Sequence, residues 1–139
     1  MRGRRGQAGI EYVMLTGLLL FFFIPLIHYS LQETNNAIKL SQIDSYVGRL
    51  SKSVDAVHSL GPGSMEIIVV TVPKGVESAE LINYVDLHEI NVRVSIYGGI
   101  SDFHGSMRPV VGGILPKNPG TYHLKIRSIN ETFVNISIS

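Results

Sequence analysis

The side chains that most often carry out catalysis or bind metals are few in this sequence and widely spaced. The 139-residue chain has no cysteine, which excludes thiol nucleophiles, disulfides and zinc–thiolate sites. No two of its five histidines stand at a spacing typical of metal ligands; they are His28, His58, His88, His104 and His123. Asp102 and His104 flank Phe103 in a predicted solvated loop, and no nucleophile accompanies them. We therefore predict a non-enzymatic protein with no catalytic, cofactor-binding or metal-binding residues.

The composition indicates that part of the chain leaves water. Hydrophobic residues make up 45% of the sequence and charged residues 17%, and the formal net charge is +1. So small a charge predicts no nucleic-acid partner. The glycine pairs lack the lysine and Ser/Thr of a phosphate-binding loop, so we interpret them as turns and bulges. A secreted hydrolase is disfavoured because no acid, base and nucleophile set is present.

One acidic residue, Glu11, stands inside a long apolar segment. From Ala8 to Tyr29 it is the only charged residue, and three arginines precede the segment. About 20 apolar residues suffice for a helix to cross a bilayer, and basic residues before such a helix favour a cytoplasmic N-terminus. A cleaved secretory signal peptide would usually have a shorter apolar run, followed by a pair of small residues for cleavage. A plain signal anchor explains the span but not a carboxylate within it. A structural alternative for Glu11 is a position at the headgroup level near Arg4 and Arg5, where it complements the helix dipole.

The residues before and around Glu11 carry a more specific pattern. The run from Arg4 to Tyr12 reads RRGQAGIEY and leads directly into the apolar segment. Cutting the chain between Gly6 and Gln7 would create an ammonium group four residues before Glu11. This run resembles the class III signal peptide of archaeal type IV pilins, with Gly9 at a position where those proteins often have serine or alanine. Archaellins have a similar leader but usually lack the acid.

The resemblance implies a structural subunit of an archaeal type IV pilus-like filament used for surface attachment. It implies processing by a class III prepilin peptidase between Gly6 and Gln7, and a role for Gln7 and Glu11 in assembly. The implied partners are other copies of the chain in a helical homopolymer, the pilus assembly ATPase and platform protein, and membrane lipid before assembly. The protein would cross the cell membrane once and then join an extracellular filament. The alternative is a signal-anchored, monomeric surface domain that binds a sugar or peptide.

The sequence predicts a leader at 1–6, one long helix at 7–60 and an extracytoplasmic β domain at 64–139. Within the helix, 7–29 is apolar and 30–60 is amphipathic, and Pro25 predicts a bend or a locally melted turn. The amphipathic part has an apolar stripe spaced three and four residues apart, which we expect to pack on the following domain; it comprises Leu40, Ile43, Val47, Leu50, Val54 and Val57. A coiled coil would use the same spacing, but the run is shorter than three heptads.

Short β-rich segments follow the helix. The predicted strands are Met65–Val72, Ala79–Tyr84, Glu89–Tyr97, Thr121–Ser128 and Phe133–Ser139, within a total of five to seven. We expect the second to pair with the third, and a turn at Asn130–Glu131. The predicted fold is α+β, with a small antiparallel sheet or sandwich after the helix, as in type IV pilins.

Two N-glycosylation sequons lie near the C-terminus. They are Asn130-Glu131-Thr132 and Asn135-Ile136-Ser137. An extracytoplasmic domain could use them, and we predict that at least one of Asn130 and Asn135 is glycosylated. Turn chemistry is a second reason for asparagine at position 130.

Overall fold

The computed structural model describes the backbone of residues 3–139 and the side chains from residue 6 onward. Helix α1 spans Gly3–Leu60. It begins before Gln7, so the last residues of the predicted leader are helical, while Met1 and Arg2 lie outside the described residues. The chain divides into two units, Met1–Ala37 and Ile38–Ser139. The long apolar helix followed by a sheet domain confirms the α+β layout.

Helix α1 continues through Pro25. Residues on both sides of the proline remain helical, so the locally melted turn predicted there is not found. Proline has no N–H, and the carbonyl of Phe21 therefore lacks its usual helical donor. The preceding and following turns still hold the helix together across this one missing bond.

The unit Ile38–Ser139 contains seven strands. They are β1 (Met65–Val72), β2 (Val76–Asn83), β3 (His88–Ile96), β4 (Gly99–Met107), β5 (Val110–Gly113), β6 (Gly120–Ser128) and β7 (Phe133–Ile138). One sheet has the strand order β1-β6-β7-β5 and the other β2-β3-β4. The predicted pairing of β2 with β3 is confirmed. All pairs are antiparallel except β5 with β7, so the first sheet is mixed rather than purely antiparallel.

Two of these strands, β4 and β5, are absent from the sequence-based assignment. The segment around Asp102 and His104 is not a loop, because it lies within β4 and pairs with β3 along its whole length. Gly112 and Gly113 likewise belong to β5 rather than to a turn. The ring of Phe133 occupies the space where a Cβ on Gly112 would lie, with Cζ only 2.7 Å from that position. Glycine is therefore required there by packing.

One hydrophobic core joins the second half of α1 to both sheets. The predicted helix stripe is confirmed, since Leu40 is partly buried and the other five residues are at most 5% exposed. The largest buried side chain, Tyr46, donates its hydroxyl to the carbonyl of Pro116 at 3.3 Å. Burial raises the pKa of this phenol well above its usual value, because the phenolate would lose its hydration.

The helix packs against β4 at Gly105. A Cβ on Gly105 would meet Ser51 Oγ, Val47 Cγ1 at 2.6 Å and Ile90 Cγ2 at 3.0 Å. Val47 and Ile90 are buried and β-branched, so they have little freedom to move aside. Only glycine allows this contact between helix and strand.

A side chain connects the two sheets. Asn83, at the end of β2, donates Nδ2–H to the carbonyl oxygen of Val111 at 2.8 Å. Its Oδ1 accepts the backbone N–H of Val111 at 3.1 Å. The amide thus takes the place of a neighbouring strand for this residue of β5.

The turns follow local sequence signals. Helix α1 ends where Gly61 takes a φ of 95° and donates its N–H to the carbonyl of His58, which is a common glycine-based helix end. Strands β3 and β4 are joined by Tyr97 and Gly98, both with positive φ, as a type I′ hairpin turn requires.

Candidate functional site

The apolar segment of α1 is exposed around its whole circumference. Every large hydrophobic side chain from Ile10 to Leu31 is at least 50% exposed within this single chain. Fourteen of them are aliphatic, methionine or phenylalanine residues. Burying each is worth about 1.5–3 kcal/mol, so together they represent on the order of 20–40 kcal/mol. A helix that is apolar all round is typical of a membrane span or of the inside of a helix bundle.

The length of the segment matches a membrane. Within the described residues, α1 is long and apolar enough to cross a bilayer, as a membrane anchor or a signal sequence would be. Ala8 to Ile27 would span about 30 Å at 1.5 Å per residue. These properties confirm the predicted membrane-scale helix.

Gly6, Gln7 and Glu11 all lie in the first turns of α1, and all three are exposed. Gln7 and Glu11 are one helical turn apart, about 6 Å along the axis. Residues four apart lie on the same face of a helix, so Gln7 and Glu11 share one face of α1. The close contacts between basic and acidic groups among the described side chains are Arg93–Asp102 and His104–Glu89, and neither involves Glu11.

No protein-family model, curated protein or solved structure matches the chain.

The two sequons have different surroundings. Asn130 is exposed in the bend between β6 and β7, where its Oδ1 accepts bonds from Thr132 N (2.9 Å), Thr132 Oγ1 (3.0 Å) and Phe133 N (2.8 Å). None of these bonds uses Nδ2, the atom to which a glycan would be joined. Asn135 is half-buried on β7, between Arg127 of β6 and Gly112 of β5. Asn130 is therefore accessible to a glycosylating enzyme, whereas Asn135 lies on a strand that is paired on both sides.

Asp102 and His104 lie side by side on the outer face of β4 but have different partners. Asp102 Oδ1 accepts the Nε–H of Arg93 at 2.9 Å. His104 Nδ1 lies 3.8 Å from Glu89 Oε1. Asp102 thus pairs with Arg93, and the carboxylate nearest to His104 is that of Glu89 on β3.

A groove of about 230 Å³ lies between α1 and β1, with Tyr46, Arg49 and Val69 among its lining residues. Typical ligand pockets measure about 300–1,000 Å³ and enclose most of the ligand, so this open groove is smaller than usual. Within the described residues, no three His, Asp or Glu side chains are grouped as metal ligands. The apolar helix is therefore the strongest candidate for the functional surface.

Proposed function

We propose that this chain is a structural subunit of an archaeal type IV pilus-like surface filament that serves attachment. A prepilin peptidase cuts it between Gly6 and Gln7, and the apolar helix then joins the filament core. The observation that carries the proposal is the all-round exposure of the apolar segment, combined with Glu11 one turn after Gln7. A helix that is apolar all round can exchange lipid neighbours for copies of itself.

The driving force would be packing. Lipid tails are as apolar as the helix, so the hydrophobic effect alone does not favour helix association inside a bilayer. Close contact between apolar side chains then stabilises the bundle. Extracting the helix into water would cost the roughly 20–40 kcal/mol estimated above for its exposed apolar side chains. The same segment would serve first as a membrane span and later as the filament core.

Cleavage would change the charge of the N-terminus. Removing Met1–Gly6 takes away three arginines, so Lys+Arg falls from 12 to 9 against 11 acids and the side-chain charge changes from +1 to −2. It also creates an ammonium group on Gln7. An unpaired charge is costly in an apolar bundle, so this ammonium and a Glu11 carboxylate would pair, within one helix or between neighbours.

The decisive experiment is to shear surface material from cells that express the chain and determine its N-terminus and intact mass by mass spectrometry. We expect polymeric material that starts at Gln7, including its cyclised form. A Met1 or Arg2 start found only in membranes would contradict processing and assembly. The signal-anchored monomeric binding domain would then be the better explanation.

Processing can be tested with two matched glycine variants. A Cβ on Gly6 or on Gly9 would meet no atom within 4 Å, so neither substitution disturbs the folded chain. We expect Gly6→Val to block cleavage because the peptidase must bind the residue before the cut bond. Gly9→Val should be cleaved normally. Equal mature sizes for both variants would contradict the proposed site.

Assembly can be tested with two matched acid variants on the same helix. Glu11→Gln should insert into the membrane and be processed, but filament yield should fall because the new ammonium loses its partner. Glu33→Gln makes the same change in the polar part of the helix and should assemble normally. Normal filament yield from Glu11→Gln would contradict the assembly role.

A further inference from the structure

The outer face of the first sheet is basic and apolar. We name it face A, and it contains the outward-facing residues of β1, β6 and β7. On β1, Met65, Ile67 and Val69 are 52%, 52% and 45% exposed. Their partners on β6 are, in the same order, Arg127, Lys125 and His123. The one acid on these three strands, Glu66, stands opposite the buried Ile126 and so on the other side.

The outer face of the second sheet has the opposite charge. We name it face B, and it contains the outward-facing residues of β2, β3 and β4. Its strands carry four acids, one arginine and two histidines, and they have no lysine. Arg93 bonds to Asp102, and its pKa is raised by that bond, by the Asp102 charge, and further by Glu80 and Glu77. Ile100 adds a side chain that is 61% exposed.

The two faces point away from one shared core, on different sides of the same domain. Both sheets turn their inner residues toward the same buried cluster. Face A of one copy can therefore meet face B of another while its own face B remains available. A contact between different patches of identical subunits continues from copy to copy, unlike a two-fold contact, which closes as a dimer.

The size of the faces limits how strongly they can bind. Each face consists of three strands about 4.8 Å apart, and each strand contributes three outward residues about 6.8 Å apart. The area of one face is therefore roughly 300 Å². A standard stable interface buries about 800 Å² on each partner. The contact is therefore too small to hold two free copies together. It becomes effective only when another attachment keeps the copies at high local concentration.

We propose that face A of one subunit packs against face B of a neighbouring copy within the polymer. The inference rests on the proposed function, because the helix bundle supplies the local concentration that faces of this size require. Basic residues of face A then meet the acids of face B, and the exposed apolar residues of β1 are covered.

Cross-linking tests the contact directly, because the natural chain has no cysteine. A variant with Ile67→Cys on face A and His104→Cys on face B is assembled into filaments and treated with a short bismaleimide. We expect a ladder of covalent multimers. Each single-cysteine variant should give none. A second double variant, Ile67→Cys with Ala56→Cys on the exposed side of the helix, should also give none.

Charge exchange tests the specificity. Reversing face A with Lys125→Glu and Arg127→Glu should lower the cross-linked fraction about three- to tenfold at low salt, as expected for two exposed ion pairs. Reversing face B as well, with Glu80→Lys and Asp102→Lys, should restore it.

Four outcomes would overturn the proposal. Normal filaments without a ladder would show that the faces do not meet. Dimers from a single-cysteine variant would indicate a two-fold contact instead. Loss of binding to anionic lipid vesicles after face A reversal, without a ladder in any filament, would assign face A to a membrane surface. Absence of polymer from the natural chain would contradict the proposed function itself, and the contact with it.

Discussion

The close contact between helix α1 and strand β4 predicts a strong and specific effect of Gly105→Ala. The added Cβ would meet Ser51 Oγ, with Val47 Cγ1 at 2.6 Å and Ile90 Cγ2 at 3.0 Å. Overpacking of a tight core typically costs about 1–3 kcal/mol. Replacing glycine by alanine also restricts the unfolded chain, which stabilises by about 0.4–1 kcal/mol. We expect a net loss of about 1–2 kcal/mol in the free energy of unfolding.

The assay is thermal unfolding of the full chain in detergent, followed by circular dichroism in the β-sheet region. A loss of 1 kcal/mol lowers the Tm of a domain of this size by about 4–8 °C. Gly99→Ala is the matched control on the same strand, because its Cβ would meet only Ile96 O, at 3.8 Å. This control should unfold at or slightly above the natural Tm.

A double-mutant cycle identifies the cause. Ser51→Ala removes the nearest obstructing atom, so the combination Gly105→Ala with Ser51→Ala should lose less stability than the two separate changes predict. The expected coupling is about 0.5–1 kcal/mol. A Tm for Gly105→Ala that equals that of Gly99→Ala would refute the packing argument. Strict additivity with Ser51→Ala would refute the part assigned to the hydroxyl.

Three further predictions concern the domain. Burial raises the pKa of Tyr46, so above about pH 10 the unfolded chain ionises this phenol before the folded chain does and stability should fall with rising pH. Urea titrations should show a smaller fall in Tyr46→Phe than in the natural chain, with Tyr84→Phe, which alters an exposed tyrosine, as the matched control. Asn83→Ala should cost about 1–3 kcal/mol in urea unfolding, because both backbone groups that it binds on β5 lose their partner; a cost near zero would contradict the sheet-joining role. If the natural protein carries a glycan, Asn130→Gln should remove its mass and Asn135→Gln should not; the reverse result would contradict the accessibility argument.

The helix and the five strands β1, β2, β3, β6 and β7 could be predicted because their signals are local. The three-and-four spacing from Leu40 to Val57 names the buried face of the helix, and strict alternation in β3 and β6 names the buried residues of those strands. Each pattern follows from the side-chain period of a single helix or strand, so the buried face can be predicted without knowing which elements pack against it.

The strands β4 and β5 could not be predicted because their glycines serve neighbours that are distant in sequence. Gly105 is required by Ser51 and Val47 of the helix, and Gly112 by the ring of Phe133. Glycine lowers the strand signal wherever it stands, so both segments resemble loops. The parallel pairing of β5 with β7 and the bonds of Asn83 to β5 also depend on topology alone.

The candidate functional residues also include some that the sequence predicts and some that need the structure. Gly6, Gln7 and Glu11 were predicted from a continuous stretch of sequence, and the structure adds only that they share the first turns of an exposed helix. The opposite charges of faces A and B needed the strand order, because their residues come from six strands spread over most of the domain.

The second half of α1 is as much a part of the domain core as any strand, and this determines where the protein can be divided. Ile43, Leu50 and Val54 of the helix have no measurable exposure. A fragment that begins after Leu60 would keep every strand but lose the helix residues of the core. The apolar side chains that pack on the helix would then be exposed to water, so we expect this fragment to aggregate. A fragment that begins near Ile38 would leave out the apolar segment and retain the whole core. The natural boundary for a water-soluble version of this protein therefore lies in the middle of a helix.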